Sequence, residues 1–413
     1  MILSLLKQKT IIYILFYITF IFSFIFGENS SGGSLNDSLI MQTYQDQVGA
    51  NLRNGIMFFI ETKMVHSPVF YIIKLNLENF LNKLSSDLIF LTLGFLIPII
   101  FYSILKKQFR GLDKNLLFAI SLVLYLSPYL RSSAVWATND NLALLFFVLS
   151  LSKFLTFTKK KDNSLKDIFL SFFYLILATY IRQYYIIIAL MYVVLLFRKI
   201  DVKIFFYIII FNSFLLIPWI LYSYNYLQFN SEYAIKGFAK PDLTFSFLVF
   251  FTMYLFYIFP FFFQSVNYVK IIKFYNDKKI FFFIITIIFI LIFFYYDVPQ
   301  NEYGGGIIYK IAQLIDFKLF FIFLSYTGAI LILITINLNF KNLLILFLLC
   351  IMFPFATIYQ KYYDPLIIII FFGMIKSNLI YENFNLKKIN FTFIFVYFLL
   401  FLVSANTYYL KIV

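Results

Sequence analysis

From Ile280 to Tyr296 the chain runs for seventeen residues without a charged side chain, apolar or aromatic on almost every helical face. Such a helix has no side to turn towards water, and its length approaches the roughly 20 residues that carry an α-helix across a bilayer core. The pattern recurs about thirteen times in 413 residues. The runs read approximately Thr10–Gly27, Leu88–Leu105, Leu116–Leu130, Asn141–Phe157, Ile168–Ile181, Tyr184–Phe197, Ile204–Tyr222, Phe247–Phe263, Ile280–Tyr296, Leu319–Asn337, Leu343–Ile358, Leu366–Ile375 and Phe391–Tyr408. Only 13% of the residues are charged, whereas a soluble chain needs about a quarter. A transmembrane barrel is excluded too, because its strands alternate apolar and polar side chains. The expected fold is all-α: one integral-membrane domain over residues 1–413, polytopic, with about eleven to thirteen transmembrane helices.

The net charge of +15 raises the question of nucleic acid. Its distribution answers it. With the N-terminus cytoplasmic, alternate short loops carry Lys7 and Lys9, then Lys106, Lys107, Arg110 and Lys114, then Lys159, Lys160, Lys161 and Lys166, and so on to Lys387 and Lys388. Together with Lys153 these loops hold about 22 of the 34 basic residues. The excess therefore reads as cytoplasmic anchoring under the positive-inside rule, with the bilayer as partner and no nucleic acid. The expected location is the plasma (inner) membrane. The first 27 residues have signal-peptide length but no A-x-A site, so an uncleaved first helix is expected.

The unusual polar material falls on the opposite side. Residues 28–87 form the longest loop, a first extracytoplasmic segment expected to hold amphipathic helices and part of an active site. Shorter outer segments follow near Arg131–Asp140, Arg182, Asn225–Thr244, Asp297–Asp316 and Gln360–Asp364.

One cysteine, Cys350, excludes an internal disulfide, and one histidine, His66, excludes a multi-His zinc centre. Acid–base chemistry then falls mainly to Asp, Glu, Lys and Tyr. Asp37, in SGGSLNDSL, is placed to take a proton from an acceptor hydroxyl, although a helix cap explains it as well. Asp46 competes for that role. Asp140 precedes an apolar run, where a carboxylate caps a helix and meets its dipole. Arg182, inside TYIRQYYIII, is costly in an apolar hairpin unless paired, and its planar fork suits a phosphate. Arg131 and Lys361 offer further cations at outer helix ends; Lys361 alone is equally an interface lysine. His66 opens HSPVFY and either orients a substrate or simply precedes a helix start at Pro68.

The order and common side of these strings resemble the GT-C superfamily of integral-membrane glycosyltransferases. The strings are Asp37 in the first outer loop, HSPVFY at His66–Tyr71, SPYLRSSAVWATNDN at Ser127–Asn141, IRQYY at Ile181–Tyr185 and QKYYDPL at Gln360–Leu366. The chain looks most similar to bacterial protein mannosyltransferase-like and aminoarabinose transferase-like members. Asn36–Asp37 and Asn139–Asp140 stand where many such enzymes carry two adjacent acids. The resemblance implies a polyprenyl-phosphate sugar donor, a lipid, glycan or protein acceptor, and a single inverting displacement. It implies Asp37 as general base and Asp140 as the group orienting the acceptor. Arg182, Lys361, Arg131, His66 and Tyr362 would then bind substrate. It leaves Mg²⁺ or Mn²⁺, held by Asp37 and Asp140, as an option. The rival readings are a lipid-linked saccharide flippase or transporter, which favours midplane charges and internal repeats that this chain lacks, and a polysaccharide polymerase or ligase, whose large outer loop is expected later in the chain.

Overall fold

The computed structural model describes residues 2–31, 34–50, 57, 67–159, 164–197, 199–233, 242–263, 268–300, 304–315, 317–353, 358–375, 377 and 391–410. Each expected apolar run lands on a helix, and no strand occurs among the described residues. The first elements are α1 (Ile2–Ile25), α2 (Ser34–Ala50), α3 (Val69–Leu81), α4 (Lys83–Gln108), α5 (Lys114–Leu122) and α6 (Pro128–Val135). Next come α7 (Asn139–Lys159), α8 (Leu165–Ile181), α9 (Ile186–Phe197), α10 (Val202–Tyr233), α11 (Leu243–Phe263) and α12 (Tyr268–Tyr295). The last are α13 (Gly306–Gln313), α14 (Phe317–Thr335), α15 (Phe340–Ile351), α16 (Leu366–Met374) and α17 (Phe391–Leu410).

Among the described residues seven helices, α1, α4, α7, α11, α12, α14 and α17, are long and apolar enough to cross a membrane. The α5–α6 pair, bent by 60°, makes an eighth if taken as one span. The chain is thus a polytopic helical membrane protein, with fewer full-length spans among the described residues than the eleven to thirteen expected. Apolarity alone overcounts for a physical reason. Helices α9 and α15 have twelve residues each, about 18 Å at 1.5 Å per residue, against roughly 30 Å of hydrocarbon. All nine residues of α16 are buried, so its apolar surface is matched by protein and not by lipid.

Local signals set the breaks. Asp113 caps α5 by accepting from the Asn115 amide at 3.1 Å, and Asn339 caps α15 from Asn342 at 2.9 Å. Ser127 accepts from the Leu130 amide at 3.0 Å, with Pro128 in the first turn of α6. The helices then meet through small residues. A Cβ on Gly94 of α4 would lie 2.7 Å from the Asn141 amide nitrogen and 2.9 Å from Ala134 Cβ. At Gly328 of α14 it would lie 2.0 Å from the Phe251 carbonyl oxygen of α11. A backbone atom of a packed helix cannot swing aside as a side chain can. Gly328→Ala is therefore expected to destabilise the detergent-solubilised protein by at least about 1–3 kcal/mol, read as a lower melting temperature.

The two ends of the bundle differ in chemistry. At one end Lys107 donates to the Ser152 carbonyl at 2.9 Å, Lys153 pairs with Asp167 at 3.0 Å, and Lys9 bonds Tyr102 at 3.0 Å. Lys278 donates to the Ile336 carbonyl at 2.8 Å, just past the last turn of α14, as cations do at helix C-termini. Helix α7 has Lys159 in its last turn and Asp140 in its first. Twenty-one residues separate the two environments, about 30 Å of helix.

Candidate functional site

Asp140 reaches its place through a strained turn. After α6, Ala137 takes φ +46°, a left-handed conformation disfavoured for a residue with a Cβ, and the Thr138 amide donates back to the Ser133 carbonyl at 3.0 Å. The chain then enters α7 with Asp140 in the first turn, where the unpaired amides and the helix dipole favour a carboxylate. Across from it α8 stops at Arg182, whose extended backbone, φ −136° and ψ 107°, breaks the helix before the 3₁₀ turn Gln183–Tyr185. The break aims the guanidinium inward. Arg182 is buried, and its Nη2 lies 2.7 Å from Asp140 Oδ1.

A second ion pair stands beside the first. Lys361, in the 3₁₀ turn Gln360–Tyr362, places Nζ 2.6 Å from Oδ2 of Asp37, in the first turn of α2. These side chains keep 20% and 29% of their exposure, so this pair is wetter than the first. Burial pulls the Lys361 ammonium towards its neutral form, but Asp37 and Asp140 outweigh that and hold its pKa above the ordinary lysine value. Arg182 lies close enough to oppose them, so the four groups act as one electrostatic cluster. Burial likewise raises the phenol of Tyr362 and that of Tyr184, which keeps both neutral and able to donate. Their rings are 6.3 Å apart, and Tyr362 stacks on Phe353 at 4.9 Å.

Asp140, Lys361, Tyr184 and Tyr362 line a narrow crevice with Tyr129, Ser133 and Asp364, while Asp37 and Arg182 reach it only through their ion pairs with Lys361 and Asp140. Its volume is about 20 Å³, which is room for a water. The cluster is closed on itself, with each acid satisfied by a cation.

Not every expected residue joins it. Arg131 sits at the same end but is a strut. Its Nη2 lies 2.9 Å from Glu28 Oε2, it also bonds the Ser23 hydroxyl, and its guanidinium rests 4.9 Å from the Phe20 ring centre. Burial alone would raise the Glu28 carboxyl, but Arg131 outweighs it and keeps the acid below its usual range. The guanidinium ties the end of α1 to α6, and Arg131 does not line the crevice. Asp46 is exposed on α2 and outside the crevice, and His66 lies outside the described residues. The option of Mg²⁺ or Mn²⁺ does not fit the donor set. Asp37 and Asp140 each already hold a cation, and among the described residues no three His, Cys, Asp or Glu side chains gather.

Asp364 is the crevice residue that sequence reasoning passed over. It is buried, accepts from the Ser127 hydroxyl at 2.8 Å, and is pushed up to about 7 by burial, which the Ser127 bond only partly offsets. The available signal was an acid inside YYDPL, directly ahead of a wholly apolar run. A carboxyl whose folded pKa lies above the ordinary 3.8 binds its proton more tightly when folded. It therefore contributes stability that fades as pH rises from about 4 through about 7. The melting temperature of the wild type is expected to fall, relative to Asp364→Asn, between pH 5 and pH 8, in a paired thermal scan. Parallel curves would show that Asp364 is ionised throughout.

Compared with family models, with curated proteins and with solved structures, the chain matches none.

Proposed function

We propose that the chain is a membrane glycosyltransferase that moves a sugar from a polyprenyl-phosphate donor to a hydroxyl acceptor at the extracytoplasmic face of the plasma membrane. The observation that carries this reading is the convergence of two acids and two cations, Asp37 with Lys361 and Asp140 with Arg182, from four separated parts of the chain. The lysine-rich opposite end of the bundle supports a cytoplasmic N-terminus and an outward-facing site.

The charges suit the reaction. The donor's phosphodiester carries one negative charge, and the polyprenyl phosphate released from it approaches two. Cations beside that phosphate are therefore worth more in the transition state than in the ground state, which is the condition for catalysis. As the phosphate takes up Arg182 and Lys361, Asp37 is released from its ion pair and accepts the proton of the acceptor hydroxyl. The acceptor oxygen bonds to the anomeric carbon from the face opposite the phosphate, the carbon–oxygen bond to phosphate breaks, and the configuration inverts. Asp140 orients the acceptor, while Tyr184 and Tyr362 donate hydrogen bonds at the crevice wall. The 20 Å³ crevice has to widen for this, and exchanging the two internal ion pairs for ligand contacts is the step that would widen it.

The test uses membrane vesicles supplied with radiolabelled polyprenyl-phosphate sugars, with the label followed into lipid, glycan and protein fractions. Transfer by the wild type and its loss in Asp37→Asn and Arg182→Ala support the reading. Full transfer by both variants overturns the residue assignment, and label that crosses the bilayer without changing partner favours a flippase.

A further inference from the structure

The larger cavity in the molecule is not the ion-paired crevice. About 240 Å³ of open space lies between α2, α3 and the start of α4, closed on one side by Trp136. Helix α2 forms one wall of this larger cavity. Leu35, Ser38, Leu39, Gln42, Gln45 and Asp46 all line the larger cavity. At about 100° per residue these six positions fall on one face, and Asp37 points to the other. One helix therefore presents its acid to Lys361 and its amides to a separate chamber.

The chamber is built in two halves. Phe24, Val135 and Trp136 form an apolar side. Opposite them Lys74, only 5% exposed, stands 3.5 Å from Asp87 and 3.9 Å from Glu78, and Gln45 donates to Glu78. Lys83 reaches Gln42 at 3.4 Å across the mouth. The Asp87 oxygen nearest Lys74 is buried and accepts no hydrogen bond among the described residues. With Lys74 as its ion-pair partner, that oxygen still has lone pairs free for a further donor.

We infer that this chamber binds one neutral sugar unit. Its volume is below the roughly 300 Å³ at which drug-sized pockets begin, so the occupant is small. Its three carboxylates, Asp46, Glu78 and Asp87, outnumber the two ammonium groups of Lys74 and Lys83, which disfavours a phosphate or carboxylate ligand, and the Lys74 ammonium already fills the place between Glu78 and Asp87 that a cationic ligand would take. What remains is a molecule whose groups both donate and accept, as sugar hydroxyls do with acids, amides and amines, and whose C–H faces lie against an aromatic ring. Because Asp37 faces away, a sugar held here is not the reacting one. It is a remote unit or an independent ligand, and the proposal stands on these walls whether or not transfer occurs.

The chain has two tryptophans, Trp136 and Trp219. Trp219→Phe therefore makes Trp136, at the cavity wall, the sole fluorophore. The purified full-length Trp219→Phe protein in detergent would be titrated with glucose, galactose, mannose, N-acetylglucosamine and, as a zwitterionic headgroup, glycerophosphoethanolamine. A saturable change with at least one sugar is expected, weakened tenfold or more by adding Ser38→Phe, which fills the chamber, or the exposed Lys83→Ala, and unchanged by Asp37→Asn. No saturable response to any of the four sugars, an equal response after both weakening substitutions, or a response to glycerophosphoethanolamine alone overturns the proposal. Loss of transfer in Asp37→Asn with binding retained separates this site from the reaction.

Discussion

Arg182→Ala is expected to lower the stability of the protein by about 3–5 kcal/mol and to abolish measurable sugar transfer. The stability loss follows from leaving Asp140, whose side chain keeps 19% of its exposure, without its cation, which costs more than losing a surface pair does. Arg182 is 5% exposed and its partner lies 2.7 Å away, so water cannot replace the guanidinium cheaply. Arg182→Ala/Asp140→Asn is expected to recover much of that stability, because no charge is then left alone, while transfer stays lost. Thermal unfolding of the single and double variants in detergent gives the coupling. Additive losses would mean that the pair is screened and that Arg182 is an ordinary interface arginine. Arg182→Lys keeps the charge but not the fork, and should fold better than Arg182→Ala without restoring transfer.

For Asp37→Asn the expectation reverses: little change in stability, about 1 kcal/mol or less, and a fall in transfer rate of about 10²–10⁴-fold. The Asp37–Lys361 pair retains 20–29% of its exposure, so each partner regains water when the other is removed. A rate loss on that scale without unfolding is the signature of a proton acceptor; a loss of stability matching the loss of rate would make Asp37 a strut like Glu28. Single-turnover transfer and a melting curve on the same preparation distinguish the two. The contrast between the pairs lies in how readily each gives way, the drier one being the more costly to open and the wetter one the easier to exchange.

Parts of the site were legible because helix ends announce themselves. Asp140 directly before an apolar run, and Arg182 inside one, are costly enough to stand out in one dimension. Arg131 carried the same signal, but the sequence does not say which acid will reach it. Glu28, its partner, lies 103 positions away. Asp364 was overlooked for the converse reason. An acid before a proline reads as a turn until Ser127, 237 residues earlier, is seen to donate to it.

Composition and periodicity by themselves determined that this chain is helical, apolar on most faces and anchored in a bilayer, because lipid leaves a backbone few other ways to satisfy its hydrogen bonds. They also placed an apolar run on most of the long helices, although α2, α3 and α13 fall outside those runs and α12 begins twelve residues before its run. Only the tertiary structure decided which apolar runs are full spans and which are short helices buried in protein, which guanidinium pairs with Glu28, and that α2 turns Asp37 to Lys361 and its amides to a second chamber. The reason is that solvation is a property of each residue and can be read locally, whereas charge pairing depends on distances that exist only once segments hundreds of positions apart have packed.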